Sequence, residues 1–307
     1  MVSALLDGSA PGAPEGPDAR GSGPSTVPPP GAAARAWPPW TAPLSLIGGL
    51  AAGVIGGGVV LAVVAAVAGA NLAHPPPALN IGGLVVQDLG LVAAAIVFAG
   101  RVGRRPLAPD FGLRRSRWRL GIGLAVGGLA ATLLFTLLWT NLLGAHQPEH
   151  LPRDLGADRS LAARLAVAGA VALVAPVCEE LFFRGYFYAA LRNWRGPLTA
   201  ALLTGVTFGL VHGTSTPAVY LVPLSFFGVV LCLMYQRTGS LYPGIVLHSI
   251  NNSLAFGVDE HWGWEIPTLM AVALAVIWLL ARGLAHATAR AEAAARAQAA
   301  ARAPALP

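Results

Sequence analysis

The stretch LSLIGGLAAGVIGGGVVLAVVAAVAGAN, residues 44–71, carries no charged side chain and ends on its second strongly polar one, Asn71, after Ser45. It exceeds the ~20 apolar residues that cross a hydrocarbon core as a helix. Runs of the same kind recur at about 80–100, 119–143, 161–191, 198–213, 218–236, 241–257 and 266–285. The fourth is long and Pro176 predicts a kink within it. The fifth and seventh are short and marked by glycine, as in spans enclosed by neighbours. The whole chain agrees with this reading. Of its 307 residues 55% are apolar and only 11% charged, against about 45–50% and 25% in a soluble domain, and its mean hydropathy is +0.63. So little charge cannot cover a soluble globule. The expected fold is all-α: a polytopic integral membrane helical bundle of about eight transmembrane helices, with the lipid bilayer as its first partner.

Charge gives the orientation. The net charge is +6, and all 20 basic residues are Arg. They lie beside apolar runs, which is the pattern of positive-inside anchoring and not of nucleic-acid binding. The 101–119 loop holds Arg101, Arg104, Arg105, Arg114, Arg115, Arg117 and Arg119, and is expected in the cytoplasm. Alternating the spans brings Arg192, Arg195, Arg237 and the Arg-bearing C-terminus to the same side. The opposite loops carry Glu149, Asp154, Asp158, Asp259, Glu260 and Glu265, with Arg153 and Arg159 as their basic exceptions. The expectation is a multi-pass protein of the cell membrane with both termini cytoplasmic. Residues 1–43, rich in Pro and Gly, read as a disordered tail. Trp37 and Trp40 read as an interfacial belt before the first span. The N-terminal spans cover 44–160, and the last span with an Ala/Arg-rich cytoplasmic tail covers 258–307. Cys178 and Cys232 sit in apolar context and form no disulfide framework or CxxC pattern.

Polar groups inside spans are costly and point to function. The sequence Glu179-Glu180-Leu181-Phe182-Phe183-Arg184-Gly185 places two carboxylates in the fourth span. Glu180 and Arg184 are four apart and can pair on one helix face, which leaves Glu179 without an obvious partner. His212 closes Phe208-Gly209-Leu210-Val211-His212, and His248 stands four residues before Asn252 on one face. Each of these alone could be a satisfied core histidine or interhelical hydrogen-bond glue. Register argues for more. Glu179 and His212 both stand about 16 residues from the Arg195-Gly196-Pro197 turn, ~25 Å at 1.5 Å per residue. They are expected at matching depth on antiparallel neighbours. His248 lies about nine residues past Gly239, ~14 Å, which is shallower, with Asn252 one turn deeper.

Such a cluster can hydrolyse a carbonyl compound such as a peptide bond. Glu179 held out of bulk water is a general base toward a bound water, and His212 can orient that water. His248 and Asn252 can donate hydrogen bonds to an oxyanion. Alternatively Glu179, His212 and His248 could hold a divalent metal such as zinc that activates the water. No HExxH is present, so the common helical zinc-protease spacing is missing. A thiol nucleophile at Cys178 is the weaker reading, because buried thiols in apolar surroundings are inert. Two other classes compete. One is a transporter or proton relay using buried Glu and His, though the paired broken helices of two related halves are not seen. The other is a non-catalytic membrane scaffold or immunity protein.

The three segments resemble those of the CPBP intramembrane proteases, the CAAX-protease and bacteriocin-processing group, whose pattern is EExxFRG, then FxxxH, then HxxxN. Here these are Glu179 to Gly185, Phe208 to His212 and His248 to Asn252, flanked by Gly239-Ser240-Leu241 and Pro243-Gly244-Ile245. The resemblance covers about 160–257, so 161–257 is the expected catalytic core. It implies an eight-helix fold with a cavity opening toward the cytosol. It implies an endopeptidase acting on membrane-associated peptides or proteins that enter from membrane or cytosol. In it Glu179 activates water with His212, His248 and Asn252 hold the oxyanion, and Glu180 and Arg184 support the site. The family is commonly labelled a metalloprotease group; a metal-free, glutamate-based mechanism fits the same residues. Prenylated CAAX tails are the substrates of its eukaryotic members.

Overall fold

The computed structural model describes residues 37–69, 75–101, 106–144 and 150–302, and the expected tail lies outside them up to residue 36. The described residues are helical, with no strand among them. The long elements are α1 (Thr41–Ala68), α2 (Pro77–Gly100) and α3 (Trp118–Leu143), then, after a one-turn α4 (Leu151–Asp154), a nearly continuous run of α5 (Leu161–Gly169), α6 (Ala175–Glu179) and α7 (Ala189–Val211). The bundle closes with α8 (Ala218–Thr238), α9 (Tyr242–Asp259) and α10 (Glu265–Arg302). Among the described residues, six segments are long and apolar enough to cross a membrane, and the longest of them, Leu161–Thr214, has 54 residues. That one is a hairpin. Gly196 at φ 80° and ψ 170° leaves the helical region and Pro197 restarts it, a conformation that a side chain would resist. With this split, and with α9 at 18 residues, the chain forms the expected polytopic helical bundle of about eight spans.

The packing suits a lipid solvent. Large apolar side chains point outward along α1, among them Val54, Ile55, Val59 and Val63. Lipid tails are as apolar as these residues, so helices associate through close packing and not through the hydrophobic effect. α1 meets α2 through glycines: a Cβ on Gly90 would stand 2.8 Å from Gly49 O and 2.9 Å from Gly53 N. The centre is aromatic. Phe182, Phe183, Phe187, Phe208 and Phe227 are buried in one cluster, with edge-to-face geometry between Phe183 and Phe208 at 5.2 Å. Trp37 belongs to this core, 2% exposed and against Tyr186 and Phe111, whereas Trp40 is 60% exposed. Only Trp40 therefore matches the expected belt.

The two ends of the bundle differ in charge as expected. At one end the segment before α3 is latched to the α8–α9 turn: Arg114 Nε donates to Gly239 O at 2.7 Å and Ser240 Oγ to Arg114 O at 2.6 Å. Arg192 Nη1 and Tyr188 Oη both donate to Gln236 Oε1 at this end. At the other end Asn80 Nδ2 donates to Asp154 O, and Arg164 pairs with Glu260 at 2.9 Å.

Candidate active site

The run from Leu161 to Tyr188 is not a uniform α-helix. Ala170–Val174 and Glu180–Tyr188 are π-helical and flank α6, which ends on Glu179. Wide turns of this kind interrupt α-helices mostly at functional sites. Pro176 supplies the local reason. Proline has no N–H, so the carbonyl that would accept from it, Val171 O in a π-helical turn or Ala172 O in an α-helical one, loses that donor where the two kinds of turn meet. Those two carbonyls are taken from α9. Ser249 Oγ donates to Ala172 O at 2.6 Å, and Asn252 Nδ2 donates to Val171 O at 3.0 Å. The expected kink at Pro176 is thus a docking point for the HxxxN helix, and it fixes Asn252 by one amide hydrogen while the other remains free.

Glu180 and Arg184 form the expected pair, with Arg184 Nη1 donating to Glu180 Oε1 at 2.8 Å and both side chains at most 1% exposed. Arg184 Nη2 also donates to Gly228 O at 3.2 Å, and its guanidinium lies over the Phe208 ring at 4.5 Å. Glu180 Oε1 accepts a second hydrogen bond from His248 Nδ1 at 3.0 Å. Its other oxygen lies so near α9 that a Cβ on Gly244 would stand 2.9 Å from it, which is what the glycine of Pro243-Gly244-Ile245 makes room for.

Glu179 turns the other way, into a cavity of about 300 Å³. Glu179, His212, His248 and Asn252 all line it. His212 Nε2 stands 3.9 Å from Glu179 Oε1 and His248 Nε2 stands 3.8 Å from Glu179 Oε2. These separations are too long for direct hydrogen bonds and suit a shared water about 2.8 Å from each atom. His212 Nδ1 lies 2.7 Å from Phe208 O. A carbonyl only accepts, so Nδ1 carries the hydrogen and Nε2 of the neutral ring offers a lone pair to the cavity. The FxxxH spacing is thereby a tautomer lock. His248 is locked in the same sense by Glu180, and in its imidazolium form Nε2 becomes a donor as well.

Tetrahedral zinc ligands about 2.0–2.1 Å from one ion stand about 3.3 Å apart. The carboxylate–imidazole separations of 3.9 and 3.8 Å are wider, and among the described residues no group of three His, Cys, Asp or Glu is arranged to hold a metal. As placed, Glu179, His212 and His248 do not fit an ion.

Sequence reasoning overlooked two lining residues, Gln87 and Asp88 of α2. A Gln-Asp pair inside an otherwise apolar span was the signal that could have found them. It also misjudged His248, which is level with Glu179 and not shallower. The depths had been counted from turns assumed to be at equal height. Tyr188 meets Gln236, so the helix from Tyr188 to Gly196 projects beyond the α8–α9 turn. The cavity runs from Glu179 past His212 to Thr214, Ser215, Thr216, Leu151, Pro152 and Asp259. Those residues stand at the acidic end of the bundle, opposite the Arg-rich loop. The cavity therefore extends toward the acidic end of the bundle and away from the Arg-rich loop.

Residues 161–254 match the family described as type II CAAX prenyl endopeptidase Rce1-like. This stretch of the chain is similar to that family. The match spans all three motifs and bears out the resemblance read from them. The UPF0177 protein YxdF of Lactococcus lactis subsp. lactis is 25% identical over 146 residues, 47% of this chain and 76% of the relative. No solved structure matches the chain. At the level of the family, the Rce1-like match supports an intramembrane CAAX-type protease, and with the long apolar helices it supports a multi-pass membrane protein.

Proposed function

We propose that the protein is an intramembrane endopeptidase that hydrolyses peptide bonds of membrane-associated substrates with a water activated by Glu179. The observation that carries this is the convergence of Glu179, His212, His248 and Asn252, from three separate helical runs, on one cavity. Water between Glu179 Oε1 and His212 Nε2 donates one hydrogen to each, which aims its lone pair at the scissile carbonyl. Attack passes the water proton to Glu179. The tetrahedral oxyanion accepts from the free Asn252 amide hydrogen and from Nε2–H of the His248 imidazolium. Collapse breaks the C–N bond, and Glu179 returns the proton to the leaving amine. Glu180 and Arg184 touch no substrate in this scheme; Glu180 holds the His248 ring in place through Nδ1–H, and Arg184 holds Glu180. The wide donor spacing favours this metal-free form, so no step is routed through an ion.

The test is comparative membrane proteomics of cells carrying the wild-type chain or Glu179→Gln. New peptide termini that appear only with Glu179 are expected. Identical termini in both strains would refute the peptidase reading, as would a purified Glu179→Gln protein that cleaves at the wild-type rate.

A further inference from the structure

Among the described lining residues, Asp88 is the buried carboxylate that the proposed chemistry leaves idle. It sits on α2, 3% exposed, and its Oδ2 has no hydrogen-bond partner. It lines the same cavity as Glu179, whose Oε2 is likewise without a hydrogen bond. A carboxylate withdrawn from water is costly unless it is paired. α2 could have spent any apolar residue here, as it does at Leu84 and Leu91 on the same cavity wall.

The rest of the lining shows what kind of partner fits. Asp88, Glu179 and Asp259 all face the cavity, and among its described lining residues there is no Arg. The guanidinium nearest this chemistry, Arg184, is wholly buried behind Glu180. Gln87 and Asn251 add amide oxygens that accept hydrogen bonds. Even with a His248 imidazolium set against Glu179, Asp88 and Asp259 leave the lining net negative, and a low-dielectric cleft of net charge concentrates the opposite charge. Its volume, about 300 Å³, accommodates a long side chain with the peptide unit that bears it.

We infer that Asp88 is a specificity-determining residue that recognises a cationic side chain, a guanidinium or an ammonium, next to the scissile bond of the substrate peptide. This rests on the peptidase reading for its peptide, but its binding test does not need cleavage. Pairing neutralises Asp88, and the cation's hydrogens satisfy the unpartnered oxygen. Peptides with an acidic residue at that position are repelled by the three carboxylates.

The experiment uses the full chain as Glu179→Gln in detergent micelles, so that peptides stay intact. Binding is measured for capped pentapeptides with arginine, citrulline or glutamate at the centre of an alanine background. Citrulline keeps the shape of arginine and loses its charge. The arginine peptide is expected to bind about ten-fold or more tighter than the citrulline peptide, as for a charge-assisted hydrogen bond, and the glutamate peptide weakest. Adding Asp88→Asn should bring arginine and citrulline within about two-fold of each other, while Asp88→Glu should keep the preference. Equal binding of the arginine and citrulline peptides overturns the inference, and so does a preference that survives Asp88→Asn. Thermal unfolding of each variant checks its fold, and equal binding of the arginine and citrulline peptides on the Asp88 chain overturns the inference even where a variant does not fold. Selective arginine binding together with no Glu179-dependent cleavage would uphold this subsite and refute the peptidase instead.

Discussion

Replacing Arg184 with alanine should unfold this bundle more readily than any change on its lipid-facing surface. The guanidinium is fully buried, bonded to Glu180 Oε1 at 2.8 Å and Gly228 O at 3.2 Å, and stacked over Phe208. Without it Glu180, itself 1% exposed, keeps only the hydrogen bond from His248. Removing one partner of a buried pair costs about 3–5 kcal/mol. Because His248 remains, the lower part of that range is expected, about a hundred-fold or more in the folding equilibrium at 1.4 kcal/mol per factor of ten. Equilibrium unfolding in mixed detergent micelles measures it, with Arg184→Ala, Glu180→Gln and the double variant compared as a cycle. The double variant should be milder than the sum of the singles by more than about 1 kcal/mol, since residues in contact couple. A loss below about 1 kcal/mol, the range of exposed ion pairs, or strict additivity in the cycle, would refute the view that Glu180 and Arg184 form a buried structural pair.

Asn252→Ala should lower the peptide cleavage rate about 10²–10³-fold by removing an oxyanion donor; Ser249→Ala, which removes only an anchor of the same helix, should cost clearly less, and the reverse order in steady-state kinetics would reassign the donor. Cleavage by protein purified in chelator should persist with substoichiometric zinc. Reversible abolition by chelation, restored by Zn²⁺, with one tightly bound ion per chain, would move the chemistry to a metal-activated water. A cysteine introduced as Asp110→Cys, in a chain with Cys178 and Cys232 replaced by alanine, should be shielded from membrane-impermeant maleimide in intact cells, as the Arg distribution predicts. Labelling from outside would reverse the topology and turn the cavity mouth to the cytoplasm.

The spans were legible because apolar length and Gly/Pro punctuation encode them directly. The run expected at 119–143 is Trp118–Leu143, that at 218–236 is Ala218–Thr238, and the turn expected at 195–197 is made by Gly196. The site residues were legible for a different reason: charge inside a span has few explanations other than pairing or function. What hydropathy does not encode is the width of a helical turn. The π-helical stretch after Gly169 depends on Ser249 and Asn252 accepting custody of two carbonyls, and they lie far away in sequence. Trp37 was misassigned because its partners, Phe111 and Tyr186, are also distant. Asp88 passed unnoticed because one acidic residue barely lowers the mean hydropathy of α2.

The second arm of α7 has a consequence for solvation. From Pro197 to Val211 it rises about 22 Å, short of the ~30 Å of a hydrocarbon core. The turn from His212 to Pro217 therefore starts below the level of the lipid headgroups. Non-helical backbone at that depth is tolerated only where protein encloses it or water wets it. His212 O accepts from the amides of Ser215 and Thr216, while Thr214, Ser215 and Thr216 face the cavity. Shortening a helix in this way would draw an aqueous inlet down into the bilayer, and the proposed hydrolysis would take its water from that inlet. Under the proposed mechanism, extending the helix by one turn beyond His212 would lift the inlet toward the surface and distance Glu179 from its water while leaving His212 in place.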